Sequence, residues 1–190
     1  MRKIVTNILM ISAILVAGNV INSCSKVEDI IDDISIPVPF TIPVNFDAQI
    51  PLATANTTDP VTYPEIPVNI DVDAKIKEAY PSLSINNLKS AKLNSFSIEL
   101  IPTTGGLELD AIKDAKLYIK TPDLPKKPIA EVTGNTNKSI INFTPTANTD
   151  LIDYLKSKQN SFILEITGSK VAAGIIKIKV NAGFKVEVGL

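Results

Sequence analysis

Residues 176–188 read IKIKVNAGFKVEV: every even position is apolar (Ile176, Ile178, Val180, Ala182, Phe184, Val186, Val188), while Lys177, Lys179, Lys185 and Glu187 occupy odd ones. Successive side chains of an extended strand point to opposite faces, so this period of two places one row in a core and the other in water. The stretch therefore predicts a strand long enough to run the full length of a sheet. The same period recurs near the other end of the chain. From Ile34 to Pro51, Ile36, Val38, Phe40, Ile42, Val44 and Phe46 alternate, with Pro37, Pro39 and Pro43 on the opposite parity. Proline has no N–H to give a ladder, so this strand is expected at a sheet edge or only partly paired. The prolines there also discourage edge-to-edge aggregation.

Working inward, Ala53 to Pro60 is polar and turn-rich, and Tyr63 to Asp73 resumes the alternation through Ile66, Val68, Ile70 and Val72. Asp73 to Tyr80 turns helical, with Asp73 as a cap and Pro81 as the stop. Leu88 to Ile101 predicts a strand whose apolar parity changes near Asn94-Ser95, the sign of a β-bulge. Thr103 to Gly106 is a turn signal, and Leu107 to Asp114 is divided between a short helix and an irregular crossing. Ala115 to Lys120 alternates cleanly, and Thr121 to Pro128 is a proline-bearing loop with two exposed lysines. Ile129 to Thr133 and Ser139 to Thr144 flank Gly134-Asn135-Thr136-Asn137 and predict a hairpin. Asp150 to Lys158 carries acids first and lysines last, the charge order that suits a helix dipole. Ser161 to Thr167 predicts one more strand. Seven or eight short strands, two small helices and no βαβ rhythm define an all-β class. The expected architecture is an antiparallel β-sandwich, immunoglobulin-like or a partly closed barrel, over residues 35–190.

Composition narrows the chemistry. The chain of 190 residues is long enough for one domain to bury a core without disulfides or metals. Hydrophobic residues make up 45% of it but aromatics only 5%, with no tryptophan, so that core is built mainly from Ile, Val, Leu and Ala. Histidine is absent, which removes the commonest general base at neutral pH and the commonest metal ligand. The formal charge is -1; without Arg2 and Lys3 there remain 17 basic against 20 acidic side chains, or -3. That balance exerts no pull on nucleic acid.

Candidate chemical groups are few. The pairs Asp32/Asp33 and Asp71/Asp73 lack the further oxygen ligands and the glycine of a calcium loop. Asp71 and Asp73 are expected to alternate on a strand and face the same way, toward solvent. No G-x-S-x-G or S-x-x-K element stands in the required context, and Gly105-Gly106 lacks the helix and lysine of a phosphate loop. Neither catalytic residues, a metal site nor a cofactor are expected. Tyr63, Tyr80, Tyr118 and Tyr154 are the amphipathic aromatics available to stack on a sugar or anchor a partner, although packing roles are commoner for each.

The amino terminus carries the sharpest motif. Arg2 and Lys3 precede an apolar run from Ile4 to Ile21, the layout of a secretory signal peptide over residues 1–23. The run is also close to the length of a spanning helix, but Gly18, Asn19, Asn22 and Ser23 sit poorly in hydrocarbon and suit a peptidase cleft. Ile21-Asn22-Ser23-Cys24 resembles a lipobox, which implies cleavage between Ser23 and Cys24 and lipidation of Cys24, the single cysteine. Asn22 departs from the enterobacterial preference for a small residue. Three acyl chains bury enough CH2 groups for stable anchoring. Residues 24–34 then form an acidic tether. In it Lys26, Glu28 and Asp29 resemble the surface-export signal of Bacteroidota lipoproteins, with Val27 interrupting the match; the alternative is a solvated spacer. Ser25 after the cysteine fits outer-membrane sorting.

The order of lipobox, alternating strands, the Asp150-Leu151-Ile152-Asp153-Tyr154-Leu155-Lys156 helix and a long terminal strand resembles uncharacterised small β-sandwich outer-membrane lipoproteins of Bacteroidota. The resemblance implies location and fold, and no activity. The expected function is a membrane-tethered, non-catalytic binding or assembly module of the cell envelope. Its contacts would run through the loops at 53–60, 121–128 and 134–138 to an envelope protein partner. The alternative is a carrier of a hydrophobic ligand such as lipid, in a cavity between the layers.

Overall fold

The terminal alternation forms β9 (Ala172–Val188), which pairs antiparallel along its whole length with β1 (Val38–Thr54). The computed structural model describes residues 38–54, 57–103 and 106–189. The other strands are β2 (Val61–Thr62), β3 (Ile66–Pro67), β4 (Leu88–Leu100), β5 (Ile112–Lys120), β6 (Lys127–Val132), β7 (Ile140–Pro145) and β8 (Ser161–Gly168). Helices α1 (Val72–Ala79) and α2 (Ile152–Lys156) are short.

The strands form one antiparallel sheet in the order β1-β9-β4-β7-β6-β5-β8-β2, with β3 also on β8. The sheet curls into a half-barrel, the partly closed form of the expected fold. Strand β7 makes the corner. Its first residues pair with β4 (Phe96 opposite Phe143, Ile98 opposite Ile141), whereas Thr144 and Pro145 pair with β6. The expected hairpin of β6 and β7 is thus reduced to two residue pairs, because β7 spends most of its backbone on β4.

The curl brings Phe162 of β8 against Phe96 of β4, Phe184 of β9 and Phe46 of β1, with ring centroids 5.5, 6.4 and 6.3 Å apart. Around these rings the core is aliphatic, with Ile42, Ile50, Leu52, Ile98, Leu117 and Ile119 almost wholly buried. All seven even positions from Ile176 to Val188 face inward.

Strand β1 is the first in the sheet order, the edge position its prolines demand. The N–H of Ala53, of the same parity as Pro39, Pro43 and Pro51, donates to the Tyr63 hydroxyl at 3.1 Å and not to β9. Odd residues of β1 therefore direct their N–H groups to the open edge, so these prolines cost the β9 ladder nothing and delete edge donors instead. Tyr63 follows β2 at the other end of the sheet order, so a side-chain bond bridges the seam that strand pairing leaves open. Replacing Pro39, Pro43 and Pro51 together by threonine is expected to restore three edge donors and shift the protein toward larger species in light scattering. An unchanged mass would show that the prolines do not guard this edge.

Several expectations change. Strand character between Tyr63 and Asp73 is confined to Ile66–Pro67, because α1 begins at Val72. Asp71, not Asp73, caps α1, accepting from the Ala74 N–H at 2.9 Å. The two acids therefore do not alternate on a strand. Asp73 lies in the first turn, where its carboxylate accepts from Lys77 Nζ at 2.6 Å and from the Ile85 N–H at 2.8 Å. The Lys77 bond, then that from Ile85, holds its carboxyl below the usual range. A depressed folded pKa stabilises the native state above the unfolded value, and this contribution is lost as pH falls through the folded one. Asp73→Asn is expected to destabilise the domain at neutral pH and to flatten its loss of stability in acid. Parallel denaturation curves for variant and wild type across that range would disprove the linkage. The parity switch in β4 is a register shift between Leu93 and Ser95 opposite Phe184 and Gly183, the expected bulge.

Candidate functional site

Strands β5 and β8 meet, Lys120 opposite Ser161, at the end of the half-barrel that also carries α1, α2 and the start of β1. A cleft of about 620 Å³ opens there, lined by Glu65, Asn69, Lys120, Thr121, Lys158, Asn160 and Ser161 among others. Among the described residues the buried polar ones are Thr121, Asn160 and Ser161, and all three border this cleft. A buried polar group must find a partner or destabilise the fold, and each has one.

Asn160 works as a bracket. Its backbone carbonyl accepts from the N–H groups of Val68 and Asn69 at 2.9 and 3.3 Å. Its side-chain Oδ1 accepts from Ile70 N–H at 3.1 Å, and Nδ2 donates to the Ser157 carbonyl at 3.1 Å. The bracket holds the chain as it leaves β3 and turns toward α1 through Asn69, whose φ of 50° lies in the left-handed region that asparagine tolerates. Thr121 Oγ1 accepts from Leu124 N–H at 3.1 Å and closes the turn that starts the next loop.

At the rim, Glu65 accepts from Lys120 Nζ and, at 3.0 Å, from Ser161 Oγ. Hydrogen bonding from Lys120 first, and from Ser161 second, holds the Glu65 carboxyl below the usual range. Glu65 thus ties the Lys120 ammonium and the Ser161 hydroxyl together at the rim. Lys158 adds a second cation to the wall.

The expected contact loops are more constrained than their sequences suggest. Of the two lysines in 121–128, Lys126 lies 4.5 Å from the centre of the Tyr118 ring and 3.7 Å from the Glu165 carboxylate. Lys127, already in β6, donates to the Asp150 carbonyl at 2.8 Å. Their charges are committed to the fold. In 134–138, Asn135 Nδ2 donates to the carbonyls of Leu109 and Ile112 at 2.9 Å each, and Lys138 pairs with Glu108 at 2.8 Å. That loop is a fixed surface at the opposite end from the cleft. In the loop at 53–60, Ala53 and Thr54 belong to β1. The tyrosines pack and bond: Tyr63 as above, Tyr154 through its hydroxyl to the Pro125 carbonyl at 2.8 Å, and Tyr118 to Glu165 at 3.4 Å.

Ser23, Cys24, Lys26, Glu28 and Asp29, and with them Asp32 and Asp33, lie outside the described residues. Among the described residues no group of three or more acidic or cysteine side chains is placed to hold a metal, and no helix is long and apolar enough to cross a membrane. Glu65, Lys120, Asn160 and Ser161 were not singled out by sequence reasoning. Glu65 and Lys120 stand far apart in the chain, and only the pairing of both β3 and β5 with β8 brings them together.

Fold and cleft define a class: an antiparallel half-barrel domain with an aliphatic core and polar surface depressions. No family model matches the chain, and no curated protein is similar to it in sequence. Among solved structures, one of Turnip Yellow Mosaic Virus aligns with 81% of this chain and 96% of its own, at 16% identity and a TM-score of 0.27. A decameric BFDV capsid protein aligns with 80% and 99% respectively, at 12% identity and a TM-score of 0.34. Alignments at such TM-scores transfer neither architecture nor function to this chain.

Proposed function

We propose that this protein is a lipid-anchored module of the bacterial cell envelope, held at the outer membrane through Cys24, that binds a partner at its surface and catalyses no reaction. The observation that carries the binding reading over the lipid-carrier alternative is the contact of Phe162 with Phe96 and Phe184. Rings from the facing layers meet where a carrier would keep its cavity. Support for the non-catalytic reading comes from the absence of histidine, which removes the commonest general base at neutral pH. The anchor rests on the Ile21-Asn22-Ser23-Cys24 sequence. The loop at 134–138 lies at the end of the sheet opposite Val38.

Cross-linking in intact envelopes followed by lipid extraction tests the choice between readings. A binding module should retain a protein partner and release lipid only from its amino-terminal anchor. Stoichiometric release of a further, non-covalent lipid without a cross-linked partner would favour the carrier. The anchor has its own test: Cys24→Ala is expected to move the protein from the membrane to the soluble fraction, with residues 1–23 retained in its mass spectrum. A variant as firmly membrane-bound as the wild type would remove the lipid assignment.

A further inference from the structure

We infer a second binding surface, for an uncharged, hydroxyl-rich chain such as a neutral oligosaccharide, on the outer face of β1, β9, β4 and β7. Register brings four polar side chains into one row across these strands: Asn45 opposite Asn181, Asn181 opposite Ser97, and Ser97 opposite Asn142. Beside it lies a second uncharged row of Pro43, Gly183 and Ser95. The two rows line a depression of about 420 Å³. With strands about 4.8 Å apart, the row is about 14 Å long, room for a short oligosaccharide.

The depression has a structural cause. Asn94 is the extra residue of the β4 bulge, and opposite the bulge stands Gly183, where an added Cβ would come within 2.8 Å of Ser95 Oγ. Glycine keeps the floor low where any other residue would begin to fill it.

Charge distribution selects the ligand. The rows on either side are ionic, with Lys92 and Lys185 on one flank and Asp47, Lys179 and Glu99 on the other. Within the band there is no charge, so an anion gains no partner there. Primary amides and hydroxyls both donate and accept, as sugar hydroxyls do. The structure pairs none of the side chains of Asn45, Asn181, Ser97 and Asn142 with another described residue, so their bonding capacity faces outward. Phe96 and Phe143 lie beneath the band and are buried, so recognition there rests on hydrogen bonding and not on stacking.

Full-length protein in detergent, applied to an array of neutral gluco-, galacto-, manno- and xylo-oligosaccharides alongside uronic and sialic oligosaccharides, tests the inference. Retention of at least one neutral series and of no acidic one is expected. The double variant Asn142→Leu/Asn181→Leu should weaken that binding at least tenfold, and Lys158→Ala in the end cleft should leave it unchanged. Ser97→Val, at the centre of the row, provides the same reading should the double variant lose its circular dichroism signal. No neutral ligand, equal binding of acidic chains, or binding indifferent to these variants would overturn the inference. Loss of binding with Lys158→Ala alone would move the site to the cleft.

Discussion

Phe162→Ala is expected to lower the unfolding free energy by about 3–5 kcal/mol, the range for removing a buried aromatic ring. Phe162 is 1% exposed and sits where β1, β4, β8 and β9 converge, touching Phe46, Phe96 and Phe184. Its loss removes transfer energy and leaves a cavity that three rings from other strands cannot collapse to fill. Domains of this kind are stable by roughly 5–15 kcal/mol in total, so the variant should unfold at markedly lower denaturant with an unchanged slope. Phe40→Ala is the control. It removes the same ring from a half-buried site against Tyr80 and should cost clearly less. Equal losses at the two positions would mean that the facing layers are not in contact through Phe162, and would reopen the carrier reading.

Asn160→Leu should cost about 1–3 kcal/mol although it keeps nearly the same volume. The substitution strands the buried Ile70 N–H, which loses its bond to Asn160, and a buried unsatisfied group costs about 1–3 kcal/mol. The half-exposed Ser157 carbonyl also loses its bond from Asn160 but can turn to water. Asn160→Asp with its carboxyl ionised keeps an acceptor for the Ile70 N–H but loses the donor to the Ser157 carbonyl, so it should fall between leucine and wild type, and protonation in acid should restore an O–H donor. Hydrogen exchange at Ile70 should accelerate in the leucine variant, which removes its acceptor. A leucine variant as stable as the wild type would show that the bracket is dispensable and that the cleft floor is not organised by it.

Local pattern was sufficient for the strands β1, β4, β5, β8 and β9, because a two-residue period with one buried face is written in the order of side chains and needs no partner to be recognised. The edge position of β1 was equally legible: Pro39 and Pro43 lack the N–H that an interior strand must supply. The bulge at Asn94-Ser95 appeared as a parity switch before any pairing was known. The cap of α1 was misplaced by two residues because Asp71 and Asp73 are alternative caps of equal propensity. The choice follows from Asn160, which ends the extended chain at Ile70 and leaves Asp71 next in line. The exposed lysines of the 121–128 loop found partners in Tyr118, Glu165 and the Asp150 carbonyl, none of them local.

What the sequence by itself determined is the all-β class, the aliphatic core and the edge strand, since each depends on residue type at short spacing. Both candidate surfaces were decided by tertiary structure alone. Glu65 meets Lys120 and Ser161 only because β3 and β5 flank β8, and Asn45, Asn181, Ser97 and Asn142 form a row only because strand order and register align them. Register is a property of pairs of strands. A shift of one residue would turn the same asparagines into the core, and no periodicity within a single strand records which partner residue lies opposite.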